Sequence, residues 1–266
     1  MTNHFENILI WALPASGKSE VMTFLKGLTP RERTNLHFGK FVGIDDYPRV
    51  ASYFEIDDER EANGRSRRDT RRQTYEDGGF LKATTWDDLD QNLNSQYDKL
   101  LLRTPHLHET STMMIECSRG GAAEEGFPLR HGYYNTLKNL SRGILEKAVI
   151  LYIKVTPEES RRKNDERYDP KDPHGILSHR VPTKVMLNDY GCDDLEWMMS
   201  QAERAGYVRT SSGLSIPVGV LDNQNDLTSF VREKGLGEGE RLHKTDLLYR
   251  ALANVLHPLF ERYQAR

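Results

Sequence analysis

A chain of 266 residues is long enough for one large α/β domain or two small ones, with a sizeable core. Its 37 Lys and Arg nearly balance 40 Asp and Glu, a formal charge of -3, so there is no general electrostatic pull toward nucleic acid or an anionic membrane. Charged residues make up 29% and hydrophobic residues 37%, with no apolar run near the roughly 20 residues of a bilayer span, which excludes a membrane-spanning helix and points to a soluble chain.

The first residues, MTNHFENILIW, lack a basic segment followed by an apolar stretch and a small-residue cleavage site, so no signal peptide is expected. Cys117 and Cys192 make no disulfide framework, and the expected compartment is the cytoplasm. The first predicted strand, 8–13, is apolar throughout, as a strand buried on both faces should be. It runs into ALPASGKS, where Gly17-Lys18-Ser19 opens a helical pattern over 20–28 and Ala12 stands where a phosphate-binding signature has its first glycine. The strand–loop–helix setting is what phosphate binding requires. Backbone N–H groups of the loop curl around the phosphates, the helix N-terminus adds partial positive charge, Lys18 reaches the β- and γ-phosphates, and Ser19 holds Mg²⁺. Pro14, Ala15, Ser16, Gly17, Lys18, Ser19 and Glu20 form the expected nucleotide-binding segment, with the Glu20 side chain facing away from the nucleotide. Ala12 costs the motif little, because Gly17 is the position where the backbone approaches the phosphate and turns into the helix.

The second predicted strand, 38–44, ends in Asp45-Asp46-Tyr47. A carboxylate at a strand tip orients a hydroxyl for in-line attack, and it also serves as a helix N-cap. The charged stretch 55–79 reads as an excursion of the same domain, and its run Gly64-Arg-Ser-Arg-Arg-Asp-Thr-Arg-Arg72 fits either a solvated face balanced by neighbouring acids or a phosphate-bearing substrate. A helix is predicted over 85–103 from the stripe Leu89, Leu93, Tyr97, Leu100 and Leu101. His106-x-His108-Glu109 lacks the further ligands of a zinc site and reads as a loop. The third strand, 112–117, places Glu116 and Arg119 at its end, and Cys117 is read as a buried core thiol. Helix 133–147 and strand 148–155 follow. Thr156-Pro157-Glu158-Glu159 is then a helix start, with Thr156 as N-cap, Pro157 in the first turn and Glu159 as the reciprocal capping-box partner. The polar, Pro- and Gly-bearing stretch 165–182 reads as a lid that closes over phosphates. A fifth strand, 214–221, precedes Asn223-Gln-Asn-Asp226, and a helix over 242–263 closes the chain.

Strand–helix alternation predicts an α/β fold, a parallel, doubly wound sheet whose ligands sit beyond the carboxyl ends of its strands. LPASGKSEV resembles the phosphate loop of the nucleoside and nucleotide kinases, a branch of the P-loop NTPase fold. Asp45-Asp46-Tyr47 is similar to the Asp-Asp-Phe/Tyr of uridine-kinase-like small-molecule kinases, and Glu116-Cys-Ser-Arg119 to the Glu/Asp-Arg-Ser element of deoxynucleoside kinases, with the arginine displaced by two residues. Strand 148–155 with Thr-Pro-Glu-Glu-Ser-Arg-Arg and Arg167 looks like the fourth strand and lid helix of the same enzymes.

The resemblance implies one P-loop kinase domain over 1–266, with a five-stranded parallel sheet, flanking helices, an acceptor-binding excursion at about 46–80 and a small arginine-bearing lid at about 165–182. It implies ATP with Mg²⁺ as cofactors and an ATP-dependent phosphotransferase acting on a small acceptor, first a nucleoside or nucleotide. Lys18 would stabilise the β/γ-phosphates, with Ser19 and Asp45 toward Mg²⁺. Asp45 or Asp46 would take the acceptor proton, Asp46, Glu116 and Arg119 would hold the acceptor, and Arg162 and Arg167 would clamp the transferring group, with Arg161 and Arg180 as further candidates. Asn223 would touch the base. A sugar-nucleotide acceptor, a polynucleotide end, or a nucleotide-dependent switch without an acceptor are the alternatives, and no membrane partner is expected.

Overall fold

A computed structural model describes residues 2–168, 171 and 180–266 of the chain. Strand β1, Asn7–Trp11, is buried at every position. Helices α1, Lys18–Gly27, and α2, Pro30–Asn35, lead to β2, Lys40–Asp45. Helix α3, Tyr47–Ala62, and the long α4, Thr84–Arg103, precede the one-turn α5, Leu107–Thr110, and β3, Ser111–Cys117. Then come α6, Tyr133–Asn139, α7, Arg142–Leu145, β4, Ala148–Lys154, α8, Pro157–Glu166, α9, Thr183–Asn188, and α10, Leu195–Ser200. The chain closes with β5, Tyr207–Arg209, β6, Ser215–Asp222, and α11, Glu238–Gln264.

The strands form one sheet in the order β2-β3-β1-β4-β6-β5. All pairs are parallel except β5 with β6. The expectation of five parallel strands is therefore corrected to six, with an antiparallel edge hairpin. Tyr207–Arg209 is three residues long, too short for its periodicity to show in the sequence, and it pairs through a tight turn in which Thr210 N–H donates to the carbonyl of Leu214.

Side chains alternate across β1, so Leu9 and Trp11 enter one core layer while Ile8 and Ile10 enter the other. The first layer is closed by Leu93 and Tyr97 of α4, Tyr133 and Leu137 of α6, and Leu195 and Met198 of α10. The second is closed by Val21 and Leu25 of α1 and by Leu248, Leu252, Leu256 and Leu259 on one stripe of α11. Gly219 permits that contact, because a Cβ there would lie 2.7 Å from Val255. The predicted stripe of 85–103 holds, with Leu89, Leu93 and Tyr97 buried. Among the described residues no helix is long and apolar enough to cross a membrane.

Three expectations differ locally. The helix predicted over 133–147 is broken, because Leu140 and Ser141 are extended and the Ser141 N–H is taken by Asn94 Oδ1 at 2.7 Å. At the start of α8, Thr156 Oγ1 accepts from Glu159 N–H as expected, but the reciprocal capping bond is absent. The Thr156 N–H goes to Gln224 Oε1 at 2.8 Å and the Glu159 carboxylate to Arg162. The excursion after β2 begins as the sixteen-residue α3. Beyond it the chain is gathered by the buried Asp57, whose carboxylate accepts from the N–H groups of Arg68, Asp69 and Thr70 and from the Thr70 hydroxyl. Burial opposes that charge, yet these donors hold its pKa down at about 2. The arginine run is largely matched by acids: Arg67 meets Asp58 and Glu61, Arg68 meets Asp69, and Arg72 meets Glu61.

Connections leave β1 in both directions, to β2 and β3 on one side and to β4 and β6 on the other. A crevice opens at such a reversal, beyond the carboxyl ends of the strands, and ligands of open parallel sheets bind there.

Candidate functional site

The β1–α1 loop lies in this crevice, and its carbonyls are held from outside. Tyr133, stacked on Trp11 with ring centroids 4.2 Å apart, donates its hydroxyl to the carbonyl of Ala12. Ser160 of α8 donates to the carbonyl of Pro14 at 2.6 Å, and Asn223 Nδ2 donates to the carbonyl of Ser16 at 2.7 Å. Ala15 and Gly17 take positive φ angles of 58° and 97°. A Cβ on Gly17 would lie 2.4 Å from Thr228 Oγ1 and 2.6 Å from Asn223 Nδ2, so only glycine fits. With the carbonyls tied back, the N–H groups of Ala15, Gly17, Lys18 and Ser19 find no acceptor among the described residues. The buried Ser16 hydroxyl has none either. A run of unpaired donors at a helix N-terminus is an anion-binding arrangement.

Lys18, the first residue of α1, reaches across the mouth of the loop to the end of β3. Its Nζ donates to Ser118 Oγ at 2.8 Å and lies 3.4 Å from Glu116 Oε1. Strand register sets Asp45 of β2 directly beside Glu116. Burial, then the Glu116 charge, pushes the Asp45 carboxyl up to about 6. Two carboxylates on neighbouring strands thus face one ammonium.

Asp46 is placed otherwise. Its carboxylate is buried and accepts from Arg119 at 2.5 Å, while the other arm of that guanidinium donates to Asp90 of α4 at 2.7 Å. Arg119 also sits 5.6 Å from the centre of the Trp86 ring. Burial works against its charge, but the two carboxylates keep it firmly ionised. Asp46 and Arg119 therefore occur together, as predicted, but joined to each other rather than open to an acceptor. Burial pushes the Cys117 thiol up to about 12, in keeping with a core role.

The arginines of α8 diverge. Arg162 is exposed and held by Glu159 and Glu166 of its own helix, and Arg161 pairs with Glu158. Arg167 is half-buried at the cavity, with its Nε unbonded and one donor on Asn164 Oδ1 at 3.3 Å. Burial pulls its pKa down to about 10. Arg180 lies over the rings of Tyr75 and Tyr168, 3.6 Å and 4.6 Å from their centres. Asn164 makes two bonds to the backbone of Val181, so the segment re-entering at 180 is fastened to α8. The rest of the predicted lid, residues 169–170 and 172–179, lies outside the described residues. Asn223 is fully buried, and its amide serves Ser16, Thr228 and Leu227, so it braces the loop instead of presenting an edge to a base.

Lys18, Asp45, Asp46, Glu116, Arg119, Arg167 and Arg180 border a cavity of about 840 Å³. One end holds Pro14, Ala15, Gly17, Lys18, Ser19, Glu20, Asp45, Glu116, Ser118 and Arg167, and the other is walled by α3, the 73–80 turn, the start of α4 and α9. Among the described residues no three or more His, Cys, Asp and Glu side chains are grouped to hold a metal alone. Ser19, Asp45 and Glu116 suit the way Mg²⁺ binds beside phosphates, through one or two carboxylates with the remaining positions left to water and phosphate oxygens. The Glu116 charge, which adds to burial in raising the Asp45 pKa, is what a cation there would offset.

Sequence reasoning missed Asp90, Tyr133, Ser160 and Ser118. Asp90 had a signal, since it lies among Trp86, Leu89 and Leu93 on the buried face of α4, where a lone charge needs a partner. No protein-family model and no curated protein matches the sequence. A solved structure titled "Crystal structure of APE1195" is similar over 96% of this chain and 98% of its own, at 15% identity and a TM-score of 0.36.

Proposed function

We propose that the chain is a P-loop kinase that transfers the γ-phosphoryl group of Mg·ATP to the hydroxyl of a small acceptor, in the class of nucleosides and nucleotides. The observation that carries this is the placement of Lys18 between a loop of unpaired N–H donors and the Asp45–Glu116 pair. The loop N–H groups and Lys18 receive the β- and γ-phosphate oxygens and stabilise the charge that spreads over them as the bond to ADP breaks. Mg²⁺, when bound near Ser19 and Asp45, supplies further neutralisation of the phosphates. Asp45 is the better placed base, because Asp46 is committed to Arg119 while Asp45 is exposed to the cavity with a pKa of about 6. As the acceptor oxygen bonds to phosphorus, its proton passes to Asp45 and the leaving oxygen stays on ADP. Arg167, unmatched by any carboxylate among the described residues, supplies positive charge from the α8 side.

Incubation with γ-labelled ATP and a panel of nucleosides, nucleotides and sugars tests this. Label on an acceptor is the expected result. Free phosphate alone across the panel, or full activity in Lys18→Ala, overturns it.

A further inference from the structure

One face of α8 is bonded to the phosphate loop and to the loop that follows β6. Thr156, Ser160, Lys163 and Arg167 succeed one another at steps of four, three and four residues, so they share a single stripe of the helix. At the start of the stripe the Thr156 N–H donates to Gln224 Oε1. In its middle the fully buried Ser160 gives its hydroxyl to the carbonyl of Pro14. Lys163, also buried, donates to the carbonyl of Asn223 at 3.2 Å and to Asp226 Oδ1 at 3.1 Å. Asn223 is the residue whose side chain holds Ser16. At the end of the stripe the Arg167 N–H donates to the Lys163 carbonyl at 3.1 Å, and Arg167 lines the cavity.

The other charged side chains of α8 are spent within the helix, Arg161 on Glu158 and Arg162 on Glu159 and Glu166. Only the buried stripe reaches outward. Apolar packing would hold a helix here too, but it is non-directional and lets the helix turn or slide. Hydrogen bonds to two separate carbonyls, Pro14 and Asn223, set both its rotation and its height. Those carbonyls belong to the phosphate loop and to the residue that braces it, so Arg167 is registered against the same frame that receives the phosphates. A charge acting on a transferring phosphoryl group works through its placement, and a shift of about 1 Å costs roughly a hundredfold in rate.

Resting on the kinase reading above, we propose that Ser160 and Lys163 are positioning residues of the transfer reaction. They fix α8 against the phosphate loop so that Arg167 stands at the transferring group before nucleotide binds. The charge is preset by these bonds and does not depend on a swing of α8 over the nucleotide.

Double-mutant cycles test this, run on the full chain with γ-labelled ATP and the acceptor that the wild type labels. Ser160→Ala and Lys163→Met are each expected to lower kcat about tenfold, by displacing Arg167. The KM for ATP should change less than about threefold, since the loss falls on the transition state. In an Arg167→Ala background the same two substitutions should each cost less than about twofold, because the group they place is gone. A residue that served only the fold would cost as much in that background as in the wild type. Binding of a non-hydrolysable ATP analogue shows which variants are folded, and if Lys163→Met does not bind it, the Ser160 cycle decides alone. Full losses in the Arg167→Ala background, an unchanged kcat in Ser160→Ala, or a rise in KM as large as the fall in kcat each overturns the inference and leaves the kinase reading standing. A wild type that labels no acceptor removes the kinase reading and this inference with it.

Discussion

Asn223 and Ser16, 207 residues apart in sequence, are joined by a 2.7 Å hydrogen bond from the asparagine side chain to the serine carbonyl. The same amide donates to Thr228 Oγ1 at 2.9 Å, and its oxygen accepts from Leu227 N–H. Asn223→Ala leaves buried polar groups unmade at about 1–3 kcal/mol. It also frees the loop to turn a carbonyl inward, so ATP affinity should fall about tenfold or more. A thermal melt with and without ATP checks both effects, and an unchanged ATP-induced shift would contradict the bracing role.

Burial and the neighbouring Glu116 charge make Asp45 costly to ionise in the folded chain. Its carboxyl is raised from 3.8 to about 6 in the folded chain, so the native state holds a proton that the unfolded chain has released. The stability linked to this group is therefore present below about pH 4 and is lost as pH rises through about 6. Asp45→Asn should match wild type near pH 4 and exceed it by about 1–2 kcal/mol at pH 7.5, allowing for solvent screening of a shift of this size. Its kcat should fall by about a hundred- to ten-thousand-fold. Denaturant melts at the two pH values, beside turnover, decide this. A wild-type acid limb in kcat/KM near pH 6 accompanies it.

Arg119 ties the ends of β2 and β3 to α4. Arg119→Met strands two buried carboxylates, a loss of about 3–5 kcal/mol, which is a large share of a domain's stability. Adding Asp46→Asn and Asp90→Asn to the same chain should restore most of the melting temperature. A triple variant as unstable as the single one would show that the arginine serves in some way besides charge matching.

Arg162 and Arg167 are predicted to part company. Arg162→Ala removes an exposed side chain held by its own helix and should leave the melting temperature and kcat nearly unaltered. Arg167→Ala should lower kcat by about a hundredfold or more with little change in fold, as loss of a preorganised charge at the transferring group does. Equal losses in the two variants would require Arg162 to leave its glutamates and reach the cavity.

The sheet and the loop were legible because their signals are local: apolar runs for the strands, and Gly17-Lys18-Ser19 between a strand and a helix. The same locality explains what was hidden. Asp45 and Asp46 are adjacent in sequence and look equivalent, and only the pairing of Asp46 with Arg119 and Asp90 tells them apart. Asn223 sits after a strand, where a base-reading residue also sits, and its burial against Ser16 is a property of the fold. Arg162 and Arg167 share a lid-like spacing, but the acids one turn away from Arg162 claim it. The three-residue β5 has no period to read, and the break at Leu140–Ser141 depends on Asn94 from another helix.

The Asp57 clasp has a consequence for how this chain can diversify. One carboxylate gathers residues 68–70 onto α3 without using the sheet, the phosphate loop or α8. Residues 68–70 are therefore anchored to α3 by a device of their own. Substitutions and small insertions beside this anchor are expected to be absorbed locally, while the β1–α1 loop stays in place. Relatives of this chain are expected to keep the clasp and the loop and to differ in the side chains between them.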